Sequence, residues 1–185
     1  MSDGVGLWVD FNPSDWLYIP KALPEGYKSA RKWCWDTAVE LSRDLKLSDE
    51  DAMNLCKYIE HIIDFNADNE SKFVLLKDLS SSLFSISLTF DVNSDADIND
   101  VFANRPEDEM VIPFEAKNIG SGIKSLTRHE RKKMLRDNII NYELKYTFVT
   151  PEMIIIATVI NEDRNSIEEH DEEFDEFVHN IIPVV

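Results

Sequence analysis

The chain lacks the short signatures by which catalysis is usually recognised. Its 185 residues contain no His-Glu-x-x-His, no Cys-x-x-Cys and no protein-kinase pattern, so zincin, paired-thiolate and kinase chemistry have no motif to rest on. No run of 18 apolar residues occurs, which excludes a hydrophobic transmembrane helix. The opening MSDGVGLWVDFNPSDW has neither the basic stretch nor the apolar stretch of a signal peptide, and no lipidation motif is visible. The expectation is a cytoplasmic protein. There are only two cysteines, Cys34 and Cys56, and they fit a reducing compartment. Both fall on apolar stripes of expected helices, where a free thiol behaves as a small hydrophobe. Antiparallel packing of those helices would bring the thiols close enough for a disulfide to be considered. Five Gly and seven Pro are ordinary numbers and exclude a fibrous or repeat chain.

Basic side chains are also scarce. There are 19 Lys and Arg against 36 Asp and Glu, a net charge of −17. Such a surface repels phosphate backbones and anionic membranes, so neither nucleic acid nor membrane is expected as a partner. It attracts a basic protein. The plainer reading is that acidity only keeps the chain soluble.

What the chain does have is a core. Apolar residues make up 43%, ten of them Phe, enough for one folded domain over residues 1–185. The aromatic start holds Trp8, Phe11, Trp16 and Tyr18, broken by Pro13 and Pro20, and reads as short extended pieces or a covering loop. Helical spacing of Cys34, Ala38, Leu41 and Leu45 predicts a helix over 29–46. Ser48-Asp49-Glu50-Asp51 reads as a capping-box start for a second helix, with Leu55, Cys56, Ile59, Ile62 and Ile63 on its stripe. The short link between the two predicts a hairpin.

The period then changes to two. Strands are predicted near 72–79, 83–92, 110–116, 121–128, 139–149 and 153–160. The clearest is Tyr142, Leu144, Tyr146 and Phe148 alternating with Glu143, Lys145 and Thr147. Met153 to Ile160 is apolar on both faces, as a covered central strand would be. Pro113 marks an edge or interruption. The stretch 120–137 reads as two strands joined by a basic turn, with a short helix opened by Thr127-x-x-Glu130 as the alternative. A closing helix carries Phe174, Phe177, Val178 and Ile181 on one stripe. The fold class is therefore α+β: a mostly antiparallel sheet packed by helices, with an N-terminal helical hairpin. The expected core includes Leu41, Leu45, Leu55, Ile59, Ile62, Phe84, Ile86, Leu88, Phe90, Leu144, Tyr146, Ile154, Ile156, Phe174, Phe177 and Ile181.

Candidate chemistry is thin. Glu169, His170 and Glu173 have one-turn spacing compatible with a metal. However, Ser166-x-x-Glu169 also makes an ordinary acidic helix start, and no metal or other cofactor is called for. His61 with Glu60 or Asp64 is the other such group. Gly120-Ser121-Gly122 lacks the lysine and flanks of a phosphate loop and reads as a strand-entry turn. Candidate interaction residues are Trp33 and Trp35, which cannot both point into one core, and the basic cluster Arg128, Arg131, Lys132, Lys133 and Arg136. That cluster concentrates five positive charges on an acidic chain. It suits an acidic partner, a phosphate, or the chain's own acidic C-terminal segment in a self-associated pair. As a solvated hairpin tip it would instead only block aggregation.

The segment Phe114-Glu115-Ala116-Lys117-Asn118-Ile119-Gly120-Ser121-Gly122-Ile123, the strands at 139–148 and 154–160, and the closing helix through Phe174 and Phe177 resemble PsbP-like (Mog-type) fold proteins of unknown function from actinobacteria. The resemblance covers less than half of the chain. It implies an antiparallel sheet backed by helices that binds or assembles rather than catalyses, and it transfers no functional residue. The sequence thus reads as a non-catalytic protein-interaction or assembly module. The alternatives are an acidic immunity-type inhibitor of a basic toxin or nuclease, or an enzyme built from scattered residues.

Overall fold

In the computed structural model, residues 5–63, 70–79, 82–92, 110–131 and 139–184 are described. In chain order the elements are strands β1 (Gly6–Val9) and β2 (Trp16–Ile19), helices α1 (Ala30–Leu45) and α2 (Asp49–Ile62), and strands β3 (Glu70–Leu75), β4 (Ser85–Val92), β5 (Met110–Ala116), β6 (Gly120–Arg131), β7 (Ile139–Val149) and β8 (Met153–Asn161). Helices α3 (Arg164–Glu169) and α4 (Asp171–His179) and strand β9 (Ile181–Val184) close it. The chain is α+β, and its strand pairs are antiparallel. It divides into two units, Asn12–Ser85 and Met1–Phe11 with Ile86–Val185.

The smaller unit holds the helical pair, bounded as its stripes predict. Ser29 caps α1 by accepting from Lys32 N, and Ser48 caps α2 by accepting from Asp51 N. Lys46 ends α1 in the left-handed region at φ 55°. The pair is not N-terminal, however: two strands precede it. The turn-forming prolines divide the aromatic start into two short strands, each with a buried residue at its end (Val9 in β1, Trp16 and Ile19 in β2). Strand β2 pairs with β3. Trp33, Cys34, Ala38, Leu55, Cys56 and Ile59 pack with Ile19, Val74, Leu76 and Leu79 into one apolar cluster. Leu41, Leu45 and Ile62 are only partly buried at its margin.

The larger unit is built on the order β4-β8-β7-β6-β5. Pro113 lies on β5, at the end of that order, the kind of strand in which proline is tolerated. Strand β6 runs through Arg131 and pairs with β7 from Gly122↔Phe148 to Arg131↔Ile139. The strand reading of this stretch therefore holds over the helical one up to Arg131.

Expectations about the core and about the closing helix need correction. On β8 the buried set is Met153, Ile155, Ala157 and Val159, while Ile154 and Ile156 are half-buried. Both faces of this strand are apolar, so its periodicity carries no parity. Pairing with β7 (Tyr146↔Ala157, Phe148↔Ile155) sets it instead. Phe90 on β4 is likewise only half-buried. The closing helix is two short helices that meet at His170 and end at His179. Its cap is Asp163, which accepts from Asn165 N, rather than Ser166, whose hydroxyl donates to Asp163 Oδ2 at 2.8 Å. Ile181 is buried as expected, but within β9. Pro183 and the β-branched residues around it end the helix and favour a strand.

Candidate functional site

Three places in the larger unit bring chemistry-bearing side chains together. The first lies between β6 and α4. The β6–β7 register sets Lys124 opposite Tyr146, and α4 places Asp171 and Asp175 one turn apart on the same helix face. The Lys124 ammonium donates to Asp171 Oδ2 at 2.6 Å and to Asp175 Oδ1 at 2.7 Å. The Tyr146 hydroxyl donates to the same Asp175 oxygen at 2.6 Å. Lys124 Nζ also lies 5.3 Å from the Tyr146 ring centroid and 6.0 Å from that of Phe114, within cation–π range. Phe114 stacks on His179 at 5.3 Å.

Both the Lys124 side chain and Tyr146 are buried, while the two carboxylates are partly open to solvent. Burial first, then Asp175 and Asp171, push the Tyr146 phenol well above its ordinary range. The amine is held by two carboxylates and the phenol is held protonated, so neither is poised as nucleophile or base. The group works as a polar clamp that fastens α4 to the sheet beside the buried Phe174, Phe177 and Val178.

The clamp has a pH consequence. Unfolded, the Tyr146 phenol ionises near its ordinary value of about 10; folded, it keeps its proton to higher pH. Its contribution is therefore complete below about pH 10 and is lost as pH rises above it. Denaturant titrations of wild type and Tyr146→Phe across pH 9–11.5 should give a wild-type slope steeper by about one proton, roughly 1.4 kcal/mol per pH unit. Equal slopes would show that the phenol is open to solvent.

The second place is the β1–β9 ribbon. Its register sets Trp8 opposite Ile182 and Gly6 opposite Val184, so these side chains share one face. The other face carries the buried Val9 and Ile181. On the outward face Trp8 is 64% exposed, Val184 47% and Ile182 36%. The Asp10 N–H donates to Asn180 O at 3.0 Å and extends the pairing by one bond. Neither strand has a second neighbour among the described residues.

The third place is a cavity of about 210 Å³ lined by Met110, Leu126, Arg128, Tyr142 and Arg164. Leu126 pairs with Met110 on one side, and Arg128 pairs with Tyr142 on the other. Arg164 arrives from the first turn of α3, three residues after β8 ends at Asn161. Among the described residues no histidine or carboxylate lines this cavity.

The residues singled out in the sequence distribute unevenly. Trp33 is buried in the core cluster at 8% exposure and Trp35 is 45% exposed, so of that pair only Trp35 can meet a partner. Arg128 lines the cavity. Arg131 ends β6 opposite Ile139. Lys132, Lys133 and Arg136 lie outside the described residues. His170 is buried with Nδ1 3.0 Å from Ser166 O. Glu169 is exposed, and His61 is exposed on α2. Among the described residues no three His, Cys, Asp or Glu converge as a metal set.

The aromatic start offers a contact surface in the sequence alone, but the clamp, the pairing of that start with the last residues, and Arg164 are not legible there. The signals available were Asp171 and Asp175 at helical spacing and the odd Trp8 in an acidic start. No protein-family model matches the chain, and no curated protein matches it. No helix among the described residues is long and apolar enough to cross a membrane.

Proposed function

We propose that this protein is a non-catalytic binding module that receives a basic protein partner on the outward face of the β1–β9 ribbon. The observation that carries the reading is the strip Trp8, Ile182 and Val184, exposed side by side on a chain of net charge −17. A solvent-facing Trp set among β-branched neighbours is the type of anchor that dominates interfaces. A second copy carries the same net charge of −17, which argues against self-association. A basic partner gains from the charge and can add an extended segment to a ribbon edge.

The same features suit an inhibitor of a basic toxin or nuclease, the special case in which the partner is itself the target. The PsbP-like resemblance points the same way, to binding rather than catalysis. A reducing cytoplasm agrees with the thiols: burial, then the neighbouring Cys56 and Glu60, push Cys34 up to about 11, which leaves it an inert thiol.

The test is capture from native cell lysate on immobilised wild type and on Trp8→Asp, at low and raised salt. A basic protein held by wild type should be weakened by raised salt and weakened about 30-fold by Trp8→Asp, with the variant's melting temperature unchanged. Equal capture by both forms, or no basic protein at either salt, would overturn the assignment.

A further inference from the structure

The cavity between β6 and α3 has a different character from the rest of the chain. We infer that it is a binding site for a small organic carboxylate with an apolar body, held by Arg128 and Arg164 over a floor of Leu126 and Met110. Among the described residues its lining holds two guanidinium groups, one phenol, two apolar side chains and no carboxylate. The chain as a whole has nearly two acids for every base. Chance placement on such a chain favours acidic linings, and the described residues of this one are the reverse.

The two arginines come from separate elements and are set by different devices. Strand register fixes Arg128 beside Tyr142. The turn after β8 fixes Arg164: Asn161 Oδ1 accepts from Asp163 N at 2.8 Å, and Asp163 in turn caps α3. Each arginine retains donor capacity. Arg128 Nη1 stands 3.6 Å from Glu130 Oε2, beyond a good hydrogen bond. Arg164 gives Nε to Glu168 at 2.8 Å, one of five donors. A guanidinium pair recognises a planar carboxylate through forked hydrogen bonds that a point charge cannot supply. The buried Leu126 and the Met110 side chain offer the contact that an apolar body needs. A cavity of about 210 Å³ admits an acid the size of phenylacetate, and the nearby Glu130 and Glu168 hold affinity to about the millimolar range.

The probe set is phenylacetate, its neutral amide, and inorganic phosphate, titrated into the ¹⁵N-labelled full chain and followed by amide shifts. Phenylacetate should shift β6, β7 and the start of α3 saturably. Phenylacetamide should bind at least tenfold more weakly, because the charge is gone. Phosphate should do likewise, because the apolar floor is unused. Arg128→Gln and Arg164→Gln should each weaken phenylacetate at least tenfold, and Arg128→Lys should restore only part. Both arginines are half-exposed, with side-chain exposures of 40% and 51%, so the variants should melt with wild type. No saturable shift, equal binding of the amide, equal binding of phosphate, or unchanged binding by the glutamine variants would each overturn the site. None of these outcomes bears on Trp8, so the ribbon reading stands or falls separately.

Discussion

Lys124→Met should lower stability by about 3 kcal/mol, the cost of removing one partner from a buried ion pair. The ammonium serves two carboxylates at once, and its loss leaves Asp171 and Asp175 one helical turn apart without a counter-charge, with the Tyr146 phenol bonded to Asp175 alone. The cost falls at the lower end of the usual range because Asp171 keeps 42% and Asp175 33% of their side-chain surface in water, where solvent screens part of the loss. The methionine itself fits the volume and the aromatic neighbours Phe114 and Tyr146, so the cost is one of charge rather than of space. That separation is testable. Asp171→Asn with Asp175→Asn on the Lys124→Met background should recover a large part of the loss, because an apolar or neutral replacement of a whole buried ion pair is often close to neutral. Urea denaturation of the single, double and triple variants closes the cycle. A single-variant loss below about 1 kcal/mol would mean that the clamp is solvated and that α4 is held by Phe174, Phe177 and Val178 alone.

The parts of this fold that were legible in the sequence are those in which one face differs chemically from the other. Strand β7 was read at its observed bounds because Tyr142, Leu144, Tyr146 and Phe148 alternate with polar residues, and α1 and α2 because their stripes are bounded by Ser29 and Ser48. Strand β8 was placed but given the wrong inward face, because Ile154 and Ile155 are equally apolar and only the partner strand chooses between them. Lys124 was illegible for a related reason. In Gly122-Ile123-Lys124-Ser125-Leu126-Thr127 the apolar residues change parity, so nothing in the pattern says that a lysine faces inward. The ribbon depends on pairing between the two ends of the chain, Trp8 with Ile182. Such a contact leaves no local periodicity, and the last residues read more naturally as the tail of a helix. Arg128 was singled out for its charge among neighbouring cations; its partner in the cavity, Arg164, is brought there by a turn whose direction the sequence does not encode locally.

Gly122→Ala should be among the most damaging single-methyl additions in this chain, costing about 3 kcal/mol. A Cβ at this position would meet Thr147 O at 2.5 Å and the Phe148 ring at Cδ1 and Cε1. Neither neighbour can yield. Thr147 O is backbone in the paired strand β7, and Phe148 is fully buried, with its ring centroid 6.2 Å from that of Phe114. Overpacking of a rigid core site costs roughly 1–3 kcal/mol and more where backbone must move. For a chain of this length that corresponds to a fall of roughly 6–12 °C in melting temperature. Gly120, two residues earlier, supplies the control. It sits at φ +100°, but a Cβ there would meet nothing within 4 Å, so Gly120→Ala carries only conformational strain of about 1 kcal/mol. The two glycines of one short motif therefore serve different ends: Gly120 turns the chain between β5 and β6, and Gly122 lets β6 lie against the Phe148 ring. Phe148→Leu on the Gly122→Ala background decides the mechanism, since a smaller side chain opposite should return part of the loss if the clash is with the ring. Equal melting temperatures for Gly122→Ala and Gly120→Ala would instead show that β6 can shift to admit the methyl, and that the pairing of β6 with β7 is looser at Gly122 than its register implies.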